Sequence, residues 1–135
     1  MKRLHLCLFL ALLALPTCRA DDWLRADVYF IEWDVTTRTA LTPARVRALA
    51  QHKQSFTRQA HLVRELLQLH RFRPSRDRRP EDARAVIDYV DDDARTHTLY
   101  LSRFNLCTAD HRARFPIDEA FRQRISRLAK KRALK

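Results

Sequence analysis

The sequence predicts a small α+β protein, a single domain in which an antiparallel sheet of about three or four strands packs against about three helices. Three observations support this fold class. The chain has 135 residues, enough for one ordinary domain. Its residues are 46% apolar and 32% charged, which is typical of a folded protein. Strand-like and helix-like patterns follow the order β-α-α-β-β-(β)-α, which favours an antiparallel sheet covered by helices.

The first strand is predicted over about residues 26–35. Aromatic and β-branched side chains dominate this stretch, and residues 28–31 are continuously apolar, as in a strand covered on one face and partly on the other. Thr42 and Pro43 then predict the start of a helix, because threonine caps a helix N-terminus and proline is tolerated in the first turn. The helical pattern fades near His52.

A second helix is predicted over residues 56–71, where apolar side chains recur at helical spacing. The segment from Arg71 to Pro80 is predicted to be an exposed loop. It is rich in arginine, and Pro74 and Pro80 both prevent a helix from continuing.

A β-hairpin is predicted next, with strands at residues 83–90 and 96–102 joined by a polar turn at 91–95. Aspartate there takes the turn role that glycine usually has, because its side chain bonds to nearby backbone N–H groups. Residues 104–107 are a candidate for a further strand.

The chain is predicted to end in a basic helix over about residues 119–131. Asp118 stands at the N-cap position, where a side-chain oxygen can accept from a free backbone N–H group. Phe121, Ile125 and Leu128 recur on one face and are predicted to pack against the sheet.

Residues 1–20 are predicted to be a secretory signal peptide. They combine a basic start, an apolar run of about twelve residues and small residues at Cys18 and Ala20, and the run is shorter than the roughly 20 residues of a membrane span. The mature domain is then residues 21–135, in the periplasm or secreted. An alternative is a lipoprotein in which Cys18 carries a lipid.

Removal of residues 1–20 takes three bases and no acid from a chain with 27 Lys and Arg and 16 Asp and Glu, so the mature domain stays basic. Two of the three cysteines also leave with this segment. Cys107 then stands alone, no intramolecular disulfide is expected, and we expect a packed and inert thiol.

The chain contains no glycine, which excludes the nucleotide-binding loops and serine elbows that need a residue without a Cβ. We predict no cofactor and no enzymatic activity. A small hydrolase stays open as an alternative, because a thiol, imidazoles and an acid are present at Cys107, Asp110, His111 and His97.

No metal site is predicted either. His52, His61 and His70 recur every nine residues, but nine steps of a helix turn by about 180°, so they cannot share one ion. The aspartates near residue 91 lack the glycine and the distal glutamate of a calcium-binding loop.

The leading interpretation of function is an exported, non-enzymatic protein that occupies a protein partner, as inhibitors and immunity-type proteins do. Acidic and basic residues are concentrated in different segments of the chain, and complementary charge speeds and orients protein association. Two surfaces are candidates for the partner: an acidic turn (Asp91, Asp92 and Asp93) and an arginine segment (Arg73, Arg76, Arg78 and Arg79).

The alternative is binding of a polyanion or an envelope surface by the C-terminal helix. Residues 112–135 carry nine bases and two acids. Anionic lipid or polysaccharide is favoured over nucleic acid, because the helix offers few groups that read bases. A merely solvated helix face would have the same composition. The candidate residues, named here the basic face, are Arg122, Arg124, Arg127, Lys130 and Lys131.

Mass spectrometry of the mature protein should show Asp21 as its first residue, since the small residues Cys18 and Ala20 occupy the cleavage positions. A lipid-modified Cys18 at the N-terminus would contradict this prediction and assign the protein to a membrane surface.

Overall fold

The computed structural model describes residues 23–68 and 73–131 and confirms the α+β class, with three helices and one seven-stranded antiparallel sheet. The predicted signal peptide and His70 lie outside the described residues. The elements in chain order are β1 (Arg25–Phe30), α1 (Pro43–Leu49), β2 (His52–Phe56), α2 (Ala60–Gln68), β3 (Arg73–Pro74), β4 (Ala85–Val90), β5 (Thr96–Leu101), β6 (Asn105–Thr108), β7 (Ala113–Pro116) and α3 (Glu119–Lys130).

The strands lie in the order β2-β1-β4-β5-β6-β7-β3, and every neighbouring pair is antiparallel. The predicted hairpin is confirmed as β4 and β5, and the candidate further strand is β6. The predicted number of strands was too small. β1 is also shorter than predicted, because the chain leaves the sheet after Phe30 and buries Ile31 against the opposite face.

The first strand missed in the sequence, β2, lies where we expected one helix to end and the next to begin. The side chains of His52, Gln54 and Phe56 are half-buried or buried, and the residues between them are exposed. Five mostly polar residues are a weak strand signal, but pairing with β1 satisfies backbone groups that would otherwise form an open edge. α2 therefore begins at Ala60 rather than at residue 56.

The other edge of the sheet is formed by β7 and β3, which were also missed. β3 lies inside the segment predicted to be a loop, with Arg73 opposite Arg114 and Pro74 opposite Ala113. Proline is tolerated there because an edge strand has no further neighbour that needs its N–H group. Residues 76–80 are exposed, as predicted.

The sheet is covered on both faces. The larger core lies between the sheet and α2 and α3, and its largest buried side chains are Val28, Phe30, Phe56, Val63, Leu67, Ile87, Leu99, Leu101, Leu106, Phe121 and Ile125. Leu128 is only partly buried against it. α1 and the loop before it cover the opposite face with Val46 and Leu41, which pack against Ile31, Ala83, Val86, Tyr100 and Cys107.

Both predicted helix caps are confirmed. Thr42 Oγ1 accepts a hydrogen bond from the N–H of Arg45 at 3.3 Å, and Asp118 Oδ1 accepts one from the N–H of Phe121 at 2.7 Å. These bonds satisfy backbone donors that the first turn of a helix leaves free.

The C-terminal half of α3 is attached to the loop after β1. Trp33 Nε1 donates to Ser126 Oγ at 2.7 Å, and Lys130 Nζ lies 2.6 Å from Glu32 Oε1. The helix therefore crosses the sheet from β7 to β1 and β2, which places its exposed side along the outer surface of the domain.

Replacing Ile125 with Asp should lower the free energy of unfolding by more than about 3 kcal/mol, because it puts a carboxylate among apolar side chains. Urea denaturation of the two proteins measures the difference. The matched control is Ala120→Asp on the exposed side of the first turn of α3, where a negative charge is favourable and the change should stay within about 0.5 kcal/mol. Equal losses in the two variants would contradict the packing of α3.

Candidate functional site

The acidic turn connects β4 to β5, and its first aspartate is used inside the turn. Asp91 Oδ1 accepts from the N–H groups of Asp93 and Arg95 at 3.0 and 2.9 Å, and Oδ2 lies 2.7 Å from His97 Nε2. The hydrogen bond with His97 is the main reason that the pKa of Asp91 is lowered. Asp92 and Asp93 are exposed, so these two residues present the negative charge of the turn.

The arginine segment contains both paired and exposed side chains. Arg79 Nη2 lies 2.9 Å from Asp77 Oδ2, and the hydrogen bonds from Arg79 hold the pKa of Asp77 well below its usual range. Arg76 and Arg78 are exposed. Arg73 is exposed in β3, at the outer edge of the sheet.

The arginine segment is fixed to the sheet by one side chain of β7. Arg114 Nη2 donates to the carbonyl oxygen of Asp77 at 2.6 Å, and its Nη1 lies 2.8 Å from Glu81 Oε1. Glu81 also accepts from Asn105 Nδ2, at 2.9 Å to its Oε1. The segment is thus bound to β6 and β7 at several points.

The acidic turn and the start of the arginine segment lie at the same end of the sheet. The acidic turn precedes β5, and the turn at 109–112 precedes β7. β5 and β7 run in the same direction, since both are antiparallel to β6. Ser75 is attached to that second turn, because its N–H donates to the carbonyl oxygen of Arg112 at 2.8 Å.

The basic face has three outward cations and two that are engaged within the protein. Arg122 Nη2 lies 2.5 Å from Glu119 Oε2, and Lys130 pairs with Glu32. Arg124, Arg127 and Lys131 are exposed. A shallow groove of about 650 Å³ runs along this helix, lined by Gln123, Ser126, Arg127, Lys130 and Lys131.

Cys107 is a packed core residue. Its side chain is 1% exposed, opposite Tyr100 on the neighbouring strand. Burial raises the pKa of the Cys107 thiol to about 11. A thiolate is the reactive form of cysteine, so this residue is a poor nucleophile at neutral pH.

The other members of the hydrolase alternative are bonded to groups other than the thiol of Cys107. His111 Nδ1 is 2.8 Å from the hydroxyl of Tyr100, and Asp110 accepts from Thr108 Oγ1 at 2.7 Å. His97 stacks on a tyrosine that belongs to the larger core, on the opposite face of the sheet from the thiol.

Two of the three histidines considered for a metal lie within the described residues, and each has other surroundings. His52 Nε2 lies 3.0 Å from Glu32 Oε1, and His61 is exposed on α2. In the ranges 23–68 and 73–131 there is no group of three or more potential metal-ligating side chains. None of the helices within these ranges has the length and apolar character that crossing a bilayer requires.

Two charged residues, one of them in the acidic cluster considered for calcium, have structural roles that the sequence did not predict. Asp88 accepts from Arg47 Nε and Nη2, both at 2.7 Å, and from Thr98 Oγ1 at 2.6 Å. Burial opposes ionisation of Asp88, but the hydrogen bonds from Arg47 and Thr98 outweigh it and lower its pKa. The ion pair between Arg47 and Asp88 attaches α1 to the sheet. The second residue is Arg84, which is buried where β4 begins. The sequence signal that could have identified it is a charged residue next to an apolar strand.

Comparison with protein-family models, with curated proteins and with solved structures finds no match for this chain. Its function therefore has to be inferred from the geometry of the domain.

Replacing Cys107 with Ser should lower the free energy of unfolding by about 1 to 2 kcal/mol, because a hydroxyl would be buried where a thiol packs. In the native wild type at pH 8, a disulfide reagent should modify the thiol only as fast as the domain opens. Denaturation curves and the rate of thiol modification measure the two effects. Rapid modification of the folded protein would contradict the inert assignment.

The same residue predicts a pH dependence. The ordinary pKa of the thiol is 9.0 and the value in the folded protein is about 11, so the unfolded chain loses this proton first as the pH rises. The stability that the thiol contributes is complete below pH 9 and is lost up to about pH 11. The free energy of unfolding of the wild type should fall more steeply over this range than that of Cys107→Ser. Equal slopes would show that the thiol titrates normally.

Proposed function

We propose that this chain is an exported, non-enzymatic binding protein that occupies a protein partner, in the manner of an inhibitor or immunity-type protein. The observation that carries the proposal is the exposure of opposite charges on the acidic turn and on an arginine segment that starts at the same end of the sheet. Asp92 and Asp93 are exposed on one turn, and Arg76 and Arg78 are exposed on the arginine segment. A surface with both signs of charge steers a complementary partner and fixes its orientation.

The way these charges are held supports the proposal. Hydrogen bonds to Asp91 fix the acidic turn, and bonds from Arg114 fix the arginine segment. A binding surface that is ordered before association loses less conformational entropy when the partner arrives. The burial of Cys107 also favours a binding role over a thiol hydrolase.

A second candidate function is binding of an anionic lipid or polysaccharide by the basic face. Arg124, Arg127 and Lys131 are exposed and are separated by three and four residues, so they lie on one side of α3. The other two predicted residues, Arg122 and Lys130, pair with glutamates, although Lys130 stays exposed. Three cations on one helix give a modest attraction to an anionic surface.

Charge reversal at the two proposed surfaces should slow association with the partner. The partner is first isolated from the exported proteins of the source cells and identified. Asp92→Lys with Asp93→Lys, and separately Arg76→Glu with Arg78→Glu, should then each lower the association rate constant by about tenfold, because steering charges act mainly on that rate. Surface plasmon resonance measures the rate, and thermal unfolding verifies that the variants fold.

The matched control reverses the basic face with Arg124→Glu, Arg127→Glu and Lys131→Glu. This variant should bind the partner as the wild type does, with a shallow dependence on salt. It should also elute from heparin at lower salt than the wild type, because it makes fewer cationic contacts with the polyanion. Added salt weakens such contacts steeply. Loss of function in this variant alone, together with loss of heparin retention, would overturn the protein-partner proposal in favour of the second candidate.

A further inference from the structure

A cavity of about 580 Å³ lies at the other end of the sheet from the acidic turn. It is formed where the chain enters β4, where β5 turns into β6, and where the loop after β1 passes close by. Arg84, Arg103 and Phe104 contribute to its wall, with Thr36 and Thr37 from the loop. Its size is that of a typical small-molecule site.

Arg84 in this cavity is a buried cation with incomplete hydrogen bonding. Its side chain is 3% exposed, and its Nη2 lies 2.5 Å from Asp82 Oδ2. Within residues 23–68 and 73–131, neither Nε nor Nη1 of Arg84 has a hydrogen-bond partner. A guanidinium buried in this way loses its water without full replacement, so Arg84 keeps donor capacity that no acceptor among the described residues uses.

The neighbouring carboxylates are already committed to other groups. Asp82 Oδ1 accepts from the N–H of Leu41 at 2.7 Å. Glu81 pairs with Arg114 at 2.8 Å and accepts from Asn105 and Ser102. These acids hold the cavity wall in place, and their oxygens are not directed to the remaining donors of Arg84.

Arg103 adds a second guanidinium beside the first. Its Nη2 donates to the carbonyl oxygen of Val35 at 3.3 Å, and its Nε has no partner within the described ranges. Its charge is not paired with a carboxylate in this part of the chain. Phe104, the next residue, is 69% exposed and lines the same cavity. The guanidinium of Arg103, which pairs with no carboxylate in the described ranges, and an aromatic surface therefore lie together.

We propose that this cavity binds a carboxylate that is carried on an aromatic or apolar group. The carboxylate lies against Arg103 and Arg84, and the apolar group lies against Phe104. A planar, singly charged anion suits a guanidinium and is repelled less by Glu81 and Asp82 in the same wall than the more highly charged phosphate would be. The cavity is separate from the proposed partner surfaces, so binding of a carboxylate there can be tested independently of the proposed function.

Two sources supply this chemistry, a free aromatic acid and the C-terminal carboxylate of a polypeptide. The probes are 3-phenylpropionate for the first and N-acetylphenylalanine for the second, each titrated into ¹⁵N-labelled protein and followed by NMR. We expect saturable shifts of the Nε–H signals of Arg84 and Arg103 and of the backbone signals of 102–105, with a dissociation constant on the order of 1 mM. The tighter of the two probes identifies the source.

Two further ligands define the chemical requirement. 3-Phenylpropionamide has the same shape without the charge and should bind at least about tenfold more weakly, and inorganic phosphate should bind more weakly than the carboxylates. Equal binding of the amide, stronger binding of phosphate, or no saturable shift up to about 20 mM of either carboxylate would overturn the proposal.

Variants test the location. Arg84→Gln alters a buried residue and is informative only if the variant folds, so the main tests use Arg103→Gln and Phe104→Ala. Each should weaken binding by about fivefold or more, because the first removes a charged donor and the second an apolar contact. Arg124→Gln, which removes an equal charge from α3, should leave the affinity unchanged. Unchanged binding in both Arg103→Gln and Phe104→Ala, or an equal loss in the control, would place the ligand elsewhere and overturn the proposal.

Discussion

The fold depends on the burial of β4 on both of its faces. Ala85, Val86 and Ile87 are each 0% exposed, although consecutive side chains of a strand point to opposite sides. Such a strand is stable only in the interior of a sheet with layers on both sides. β1 and β5 supply the flanking strands, α2 and α3 cover one face, and α1 covers the other. Both faces of the sheet centre are then occupied, so exposed polar groups concentrate at the ends and edges of the sheet.

A second constraint is that the chain turns without glycine. Ala94 and His111 both adopt φ values of 59°, a region that disfavours residues with a Cβ. Each lies in a turn that an aspartate stabilises. In three turns an aspartate Oδ1 accepts the N–H two residues ahead, at 3.0 to 3.1 Å: Asp77 with Arg79, Asp91 with Asp93, and Asp110 with Arg112. These three aspartates thus stabilise turns of the backbone, and they are not simply a source of surface charge.

The difference between charges that are paired within the domain and charges that are exposed also bears on function. Asp91, Arg79 and Lys130 are engaged in bonds that stabilise the domain, and they offer less to a partner than the sequence suggests. Exposed charged side chains lie on the acidic turn, on the arginine segment and at Arg124, Arg127 and Lys131, and Arg103 lies beside the cavity. Arg84 differs from all of these, because it is buried and yet incompletely bonded.

The sequence by itself determined the α+β class, the β4–β5 hairpin and both helix caps, because each depends on residues that are neighbours in the chain. Asp91 lies within the turn that it stabilises, and Asp118 lies three residues from the N–H that it caps. Tertiary structure decided β2, β3 and β7, since such short strands form only where another strand leaves its backbone unpaired. It also decided the cavity at Arg84, because the sheet brings residues 37, 84 and 103 together. No local sequence pattern predicts which side-chain donors of the folded protein lack an acceptor.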